Sequence, residues 1–288
     1  MAHRLLLDTS SLTYRAFFAL PTSIKAPDGR PINAVHGYLD MTAQLVRDLK
    51  PDEVVHVFDH DWRPMPRVRA YAGYKSQRAP DPEELPEQFD VLREVLGALG
   101  MPVAEAPGWE ADDAIATMCA RASADDLVDV VTGDRDMFQV VCVGPPQVRV
   151  LFTVKGVSQL ATFDEDAVVA KYGIPPDRYA EFAALRGDPS DGLPGVKGVG
   201  EKTARTLIQA YDSIPALLDD LGAQTPRLRA ALDDARGYLA AMGDVVPVRT
   251  SVEVTVDRST RDDEALDALG EQHRLSGPLR RLREALDA

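Results

Sequence analysis

Short apolar runs, each closed by polar or turn residues, recur through the first half of the chain: Arg4 to Leu7, Glu53 to Phe58, Pro102 to Glu105, Leu127 to Thr132 and Val148 to Phe152. Runs of this kind predict strands buried on both faces, the habit of parallel sheets. The stretches between them, including Ala34 to Leu49, Pro86 to Leu99 and Ala111 to Ala122, read as helices. Strand and helix in alternation predict an α/β fold, a central mainly parallel sheet flanked by helices. From about Pro175 the pattern is mainly helical, apart from a strand-like run at Ser251 to Val256, and it ends in an amphipathic helix from Gly277 to Leu286. A boundary near Gly173 separates a core of residues 1–174 from a subdomain of residues 175–288.

Composition changes this picture only at its edges. With 45% apolar and 27% charged residues the 288-residue chain is a soluble globular type. No stretch approaches the ~20 apolar residues of a membrane span. Two cysteines exclude a disulfide-stapled scaffold, and Cys119 and Cys142 are expected to be reduced and buried. The N-terminus reaches Asp8 after one short apolar run, unlike a signal peptide, so the expected setting is a cytoplasmic monomer without membrane contact.

Charge matters more. Against 32 Lys and Arg stand 46 Asp and Glu, a net charge of −14, which argues at first against a polyanionic partner. Yet Trp62 to Pro80 carries Arg63, Arg67, Arg69, Lys75 and Arg78 and no acid at all. Either an anion visits this run or it is a solvated basic helix face.

The acids themselves are patterned. Three strands run into Asp8, Asp59 and Asp134, and in open α/β sheets ligands bind beyond the carboxyl ends of strands. Asp136 follows Asp134; Glu110, Asp112 and Asp113 open a helix; Asp188 and Asp191 lie three apart. One such acid is usually a helix cap, and acids at a helix start suit its dipole. Nine in one crevice demand cations, and an all-carboxylate set suits two Mg²⁺ or Mn²⁺ ions better than Zn²⁺. Such a pair of ions performs phosphodiester hydrolysis. Residues 193–205, with Gly195, Lys197, Gly198, Gly200, Lys202, Thr203 and Arg205, form a Gly-rich turn entering a helix. That arrangement grips phosphates through backbone N–H groups and lysines, unless it is a plain helical hairpin.

The strings LLLDTSS (5–11), VFDHDWRPMPRVRAYAGYKSQR (57–78), WEADDAIA (109–116), VTGDRDMFQV (131–140) and LRGDPSDGLPGVKGVGEKTA (185–204) occur in the order of one family. The chain resembles the 5′-nuclease family, the 5′→3′ exonuclease domain of bacterial DNA polymerase I and its flap endonuclease relatives, in a stand-alone form. The resemblance weakens after about Asp257. It implies a PIN-like core with a helical arch over about residues 62–95 and a helix-hairpin-helix in the second subdomain. It assigns Asp8, Asp59, Glu110 and Asp112 to one metal and Asp134, Asp136, Asp188 and Asp191 to the other, with Asp113 nearby. Tyr74, Lys75 and Arg78 would meet the scissile phosphate. Arg15, Arg67, Lys75 and Arg78 would contact DNA together with Gly195, Lys197, Gly198, Gly200, Lys202 and Thr203, and backbone carbonyls of the Gly-rich turn would hold a K⁺ ion. The implied substrates are DNA with 5′ flaps, nicks or RNA primer ends, and the implied partners a DNA polymerase and a ligase. The chain departs from the family at Thr9, usually Gly, at Arg186 and Gly192, and at the extra acid Asp61, where the segment before the arch is one residue longer. A PIN-type ribonuclease, which lacks the Gly187 to Arg205 segment, and a non-catalytic DNA-binding scaffold are the competing readings.

Overall fold

The computed structural model describes residues 2–288. Seven strands form one sheet: β1 (His3–Asp8), β2 (Glu53–Val57), β3 (Val103–Glu105), β4 (Leu127–Thr132), β5 (Gln147–Thr153), β6 (Leu160–Phe163) and β7 (Thr255–Asp257). Their order is β6-β5-β4-β1-β2-β3-β7, parallel throughout the middle five and antiparallel at both edges. The register pairs Leu7 with His56 on one side and Val131 on the other, so β1, β2 and β4 end level with one another.

Alternation along β1 shows why its run Leu5 to Leu7 is apolar without interruption. Leu5 and Leu7 face one layer, made chiefly of α2 (Asn33–Leu49) together with later helices, while Leu6 faces the other. β1 is covered on both sides, so neither set of its side chains is left to water, whereas the edge strand β7 is exposed. The sequence reading missed α1 (Thr9–Ala19), which starts directly from β1 because the Asp8 carboxylate accepts the Ser11 N–H at 3.0 Å. It missed β6 as well.

The remaining helices are α3 (Met65–Ala70), α4 (Pro86–Ala98), α5 (Ala111–Ala120), α6 (Glu165–Tyr172), α7 (Tyr179–Arg186), α8 (Glu201–Ala210), α9 (Ile214–Asp219), α10 (Pro226–Asp234), α11 (Arg236–Val245), α12 (Asp263–His273) and α13 (Ser276–Leu286). Two expectations need correction. The strand at Ser251 to Val256 begins only at Thr255, because Val252 is tied to α5 by Thr117 Oγ1 and Arg121 instead of to a neighbouring strand. Cys142 is exposed, whereas Cys119 is buried and its thiol pushed up to about 12 by burial.

The chain beyond α11 returns to the sheet. β7 pairs with β3, and α13 lies on α2, where Leu279 and Leu282 are buried and Arg281 forks onto Asp40 at 2.8 and 3.0 Å. Among the described residues no helix is long and apolar enough to cross a membrane. Since α13 completes one face of the core, Leu282→Ala should lower unfolding stability by about 2–5 kcal/mol. A urea titration checks this, and an unshifted midpoint would mark the helix as peripheral.

Candidate active site

The level ends of β1, β2 and β4 place Asp8, Asp59 and Asp134 side by side. The crossover from β3 brings in the N-terminus of α5, whose Ala111 N–H donates to Asp59 Oδ1 at 2.7 Å. Thr132 joins two of the strands: its hydroxyl donates to Asp8 Oδ2 at 2.6 Å and accepts the Asp134 N–H at 2.9 Å. Asp8, Asp59, Glu110, Asp112 and Asp134 line a cleft of about 560 Å³. The segment expected to be an arch contributes Trp62, Lys75, Arg78 and Asp81 to the same lining.

The electrostatics follow from burial. Burial, with Asp59 beside it, raises the Asp8 carboxyl to about 7. Burial also holds Asp112 and Asp136 well above the ordinary carboxylate range, reinforced by the neighbouring Asp134, and raises Asp134 itself. Asp136 Oδ1 is buried without a hydrogen-bond partner. A crowd of oxygen donors that resists ionisation, with one orphaned oxygen among them, fits hard divalent cations. As placed, no three of the described acidic, His or Cys side chains converge closely enough to hold an ion by themselves.

Cations of the chain answer part of the repulsion. Lys75 is buried and its ammonium donates to Glu110 Oε1, while Tyr74 Oη–H donates to Glu110 Oε2 at 2.7 Å. Burial opposes the Lys75 charge, but Glu110 and Asp191 outweigh it. Arg78 donates to Asp191 at 2.9 Å. Lys75 takes a left-handed backbone, φ +50°, and its N–H donates to the Asp191 carbonyl at 2.9 Å, which locks the basic segment to the turn carrying Asp188 and Asp191. Gly192 makes this approach feasible: its φ is +71°, and a Cβ there would lie 2.6 Å from the Gly73 carbonyl. This accounts for the departure at Gly192. Thr9 is tolerated because its hydroxyl meets Tyr38 Oη, 3.1 Å away, in the core.

Three sequence-based assignments change. Arg67 is 2% exposed and is not a DNA contact: it reaches Glu110 at 2.5 Å, forks onto Asp113 at 2.6 and 2.7 Å and donates to the Val245 carbonyl at 2.9 Å. Asp113 has both oxygens in that fork and is fully buried, so it positions Arg67 and faces no metal. Glu110 lines the cleft but spends its oxygens on Lys75, Arg67 and Tyr74. The basic run is therefore no solvated helix face. Arg15 is half-buried against Gly133, beside Asp134. Asp188 accepts from the Ser190 N–H at 2.8 Å, at the turn that leads to Gly195. Lys197, Gly198, Gly200 and Lys202 are exposed at the start of α8, with Thr203 half-exposed and Val199 tucked beneath. Gly195 packs so closely on the end of α7 that a Cβ would meet the Arg186 carbonyl carbon at 2.6 Å. The role of Arg67 is invisible in sequence because its partners lie 43, 46 and 178 residues away.

Comparison with known proteins follows the same outline. A model described as the 5′-3′ exonuclease N-terminal resolvase-like domain matches residues 3–173, and one described as the 5′-3′ exonuclease C-terminal SAM fold matches residues 174–269. A 5′-3′ exonuclease of Streptomyces coelicolor is 45% identical over 99% of this chain and 100% of its own length. A DNA polymerase I of Mycobacterium bovis is 46% identical over 79% of this chain but only 25% of its own length. The T5 D15 protein co-crystallised with metal ions shares the fold at a TM-score of 0.69 and 17% identity, covering 99% of this chain and 98% of that one. Flap endonuclease-1 from Methanococcus jannaschii does so at 0.60 and 16%, covering 99% and 92%.

Two outcomes are expected from the electrostatics. Asp112 and Asp136 have folded pKa values raised above 3.8, so the unfolded chain releases their protons first and stability falls as pH climbs past that value. Asp112→Asn and Asp136→Asn should raise the melting temperature of chelator-treated protein at pH 8, with the gain vanishing near pH 4. Arg67→Ala strands two buried carboxylates and should cost about 3–5 kcal/mol. The Arg67→Ala/Asp113→Ala pair should cost less than the sum of the single changes, which a double-mutant cycle in urea measures.

Proposed function

This chain belongs to the 5′-3′ exonuclease family, and from that premise we propose that it hydrolyses DNA phosphodiesters at 5′ ends, nicks and 5′ flaps, including RNA primer ends. The observation that carries the reading is the cleft itself. Carboxylates at the ends of three parallel strands line one cleft of about 560 Å³ together with Lys75 and Arg78. Divalent ions, Mg²⁺ or Mn²⁺, when bound neutralise these acids and supply the charge that activates water and stabilises the leaving oxygen. Asp8, Asp59 and Asp112, backed by Glu110, would hold one and Asp134, Asp136, Asp188 and Asp191 the other, with waters completing each shell.

The chain's own groups do the rest. Lys75 and Arg78, placed by Glu110 and Asp191, offset charge that builds on the scissile phosphate, a contribution that counts most in the transition state. Tyr74, expected at the scissile phosphate, is instead buried on Glu110 and fixes it and thereby Lys75. Arg15 neutralises phosphate beside Asp134. The exposed turn at Gly195, Gly198 and Gly200, with Lys197, Lys202 and Thr203, grips the duplex backbone without reading bases, and its carbonyls hold a K⁺ ion. A polymerase that displaces the strand and a ligase that seals the nick are the partners such a reaction needs, in the cytoplasm beside the chromosome. The similarity of this chain to a quarter of a DNA polymerase I supports that setting.

Cleavage of a 5′-labelled flap duplex, a nicked duplex and matching single-stranded RNA, each with Mg²⁺ or chelator, tests the proposal. The flap and nick should be cut only with metal, and Asp8→Asn should lower turnover by orders of magnitude while binding persists. Lys75→Ala should slow the single-turnover rate at saturating enzyme more than it weakens affinity. RNA cut as fast as the flap would favour a ribonuclease.

A further inference from the structure

The residues between Asp59 and the basic segment, where the chain departs from its family by one extra position and an extra acid, are left unexplained by the metal site. In the structure this loop is pinned from both sides. His60 and Asp61 donate their N–H groups to the Trp109 carbonyl at 3.2 and 3.1 Å. Arg63 donates its N–H to Asp61 Oδ1 at 3.0 Å and its guanidinium to the carbonyls of Tyr74 at 2.6 Å and Ala72 at 2.8 Å. Asp61 is thus a turn-former, not a ligand. Between these anchors Trp62 projects into the cleft, 50% exposed, on the wall that faces Asp8 and Asp134.

The two tryptophans of the chain differ sharply. Trp109 packs against the core under the guanidinium groups of Arg67 and Arg249, at 5.8 and 5.9 Å from its ring centroid. Trp62 joins no apolar cluster among the described residues. A large flat apolar side chain held out by a rigid loop, beside the cations and acids that handle a phosphate, is suited to the flat apolar part of a nucleotide. Stacking of a base on an aromatic ring is tolerant of sequence because every base offers a π-face. A pinned loop adds that the ring need not be ordered when the strand arrives.

We propose that Trp62 is a nucleobase-stacking subsite that binds the base next to the scissile phosphate and sets where along the strand the phosphate enters the acidic cleft. This rests on the nuclease reading above. The test is the single-turnover rate against enzyme concentration, with Mg²⁺, on a flap duplex carrying all its bases or an abasic nucleotide on one or the other side of the cleavage point. Trp62→Ala should raise the half-saturating concentration by about 5- to 150-fold, the span expected for one stacked base, with the maximal rate within a few fold. Trp62→Phe should restore most of the binding. One of the two abasic substrates should bind the unmodified enzyme as weakly as the complete substrate binds Trp62→Ala, and should lose little more with that variant. Being half-exposed, the side chain should contribute little to folding, which the melting temperature of each variant checks. Unchanged half-saturation in Trp62→Ala, or abasic and alanine losses that multiply independently, would overturn the subsite alone. An unmodified enzyme that cuts no flap would overturn the nuclease reading and this inference together.

Discussion

Repulsion among carboxylates held away from water is the constraint around which this molecule is arranged. The sheet delivers Asp8, Asp59 and Asp134 to one edge as a geometric consequence of parallel strands ending level, and burial then opposes the ionisation of Asp8 and Asp134. Groups in such a place favour protonation or a cation. The site contains both kinds of relief: Asp8, Asp112 and Asp136 are raised in pKa, and Glu110 and Asp113 are paired with Lys75 and Arg67, although burial still raises Glu110.

That division separates the acids by task. Of those lacking a cation, Asp8 and Asp112 line the cleft, where external positive charge is needed. Those already matched, Glu110 and Asp113, hold Lys75 and Arg67 in place. Arg67 links α3, the start of α5 and the carbonyl end of α11, so three stretches distant in sequence share one buried charge. Removing one member of such a cluster costs more than its own contacts, because the charges left behind stay buried.

The basic segment shows the same economy of placement. It is bound to the acidic turn by the Lys75 N–H and by Arg78 to Asp191, and Gly192 leaves the space for that contact. Cations and acids that would each be unfavourable alone are arranged so that a phosphate entering between them meets charges of both signs.

Much of this was legible in the sequence. Apolar runs such as Leu5 to Leu7 identified the central strands, since a strand covered on both faces has little polar side to show, and acids placed after strands identified the cleft. The assignment of individual acids was not legible. Asp112 and Asp113 are neighbours at a helix start, yet one faces the cleft and the other lies in the fork of Arg67, because successive helical residues point about 100° apart and the packing of α3 and α11 decides which side is covered. Likewise the run from Trp62 to Pro80 reads as a solvated basic stretch until Arg67 and Lys75 are found inside. The sequence by itself determined most of the elements and the chemistry of the donor set, which depend on local pattern. Only the tertiary structure decided which charges neutralise one another and which await a partner, because pairing energy depends on distances between residues that the chain order does not fix.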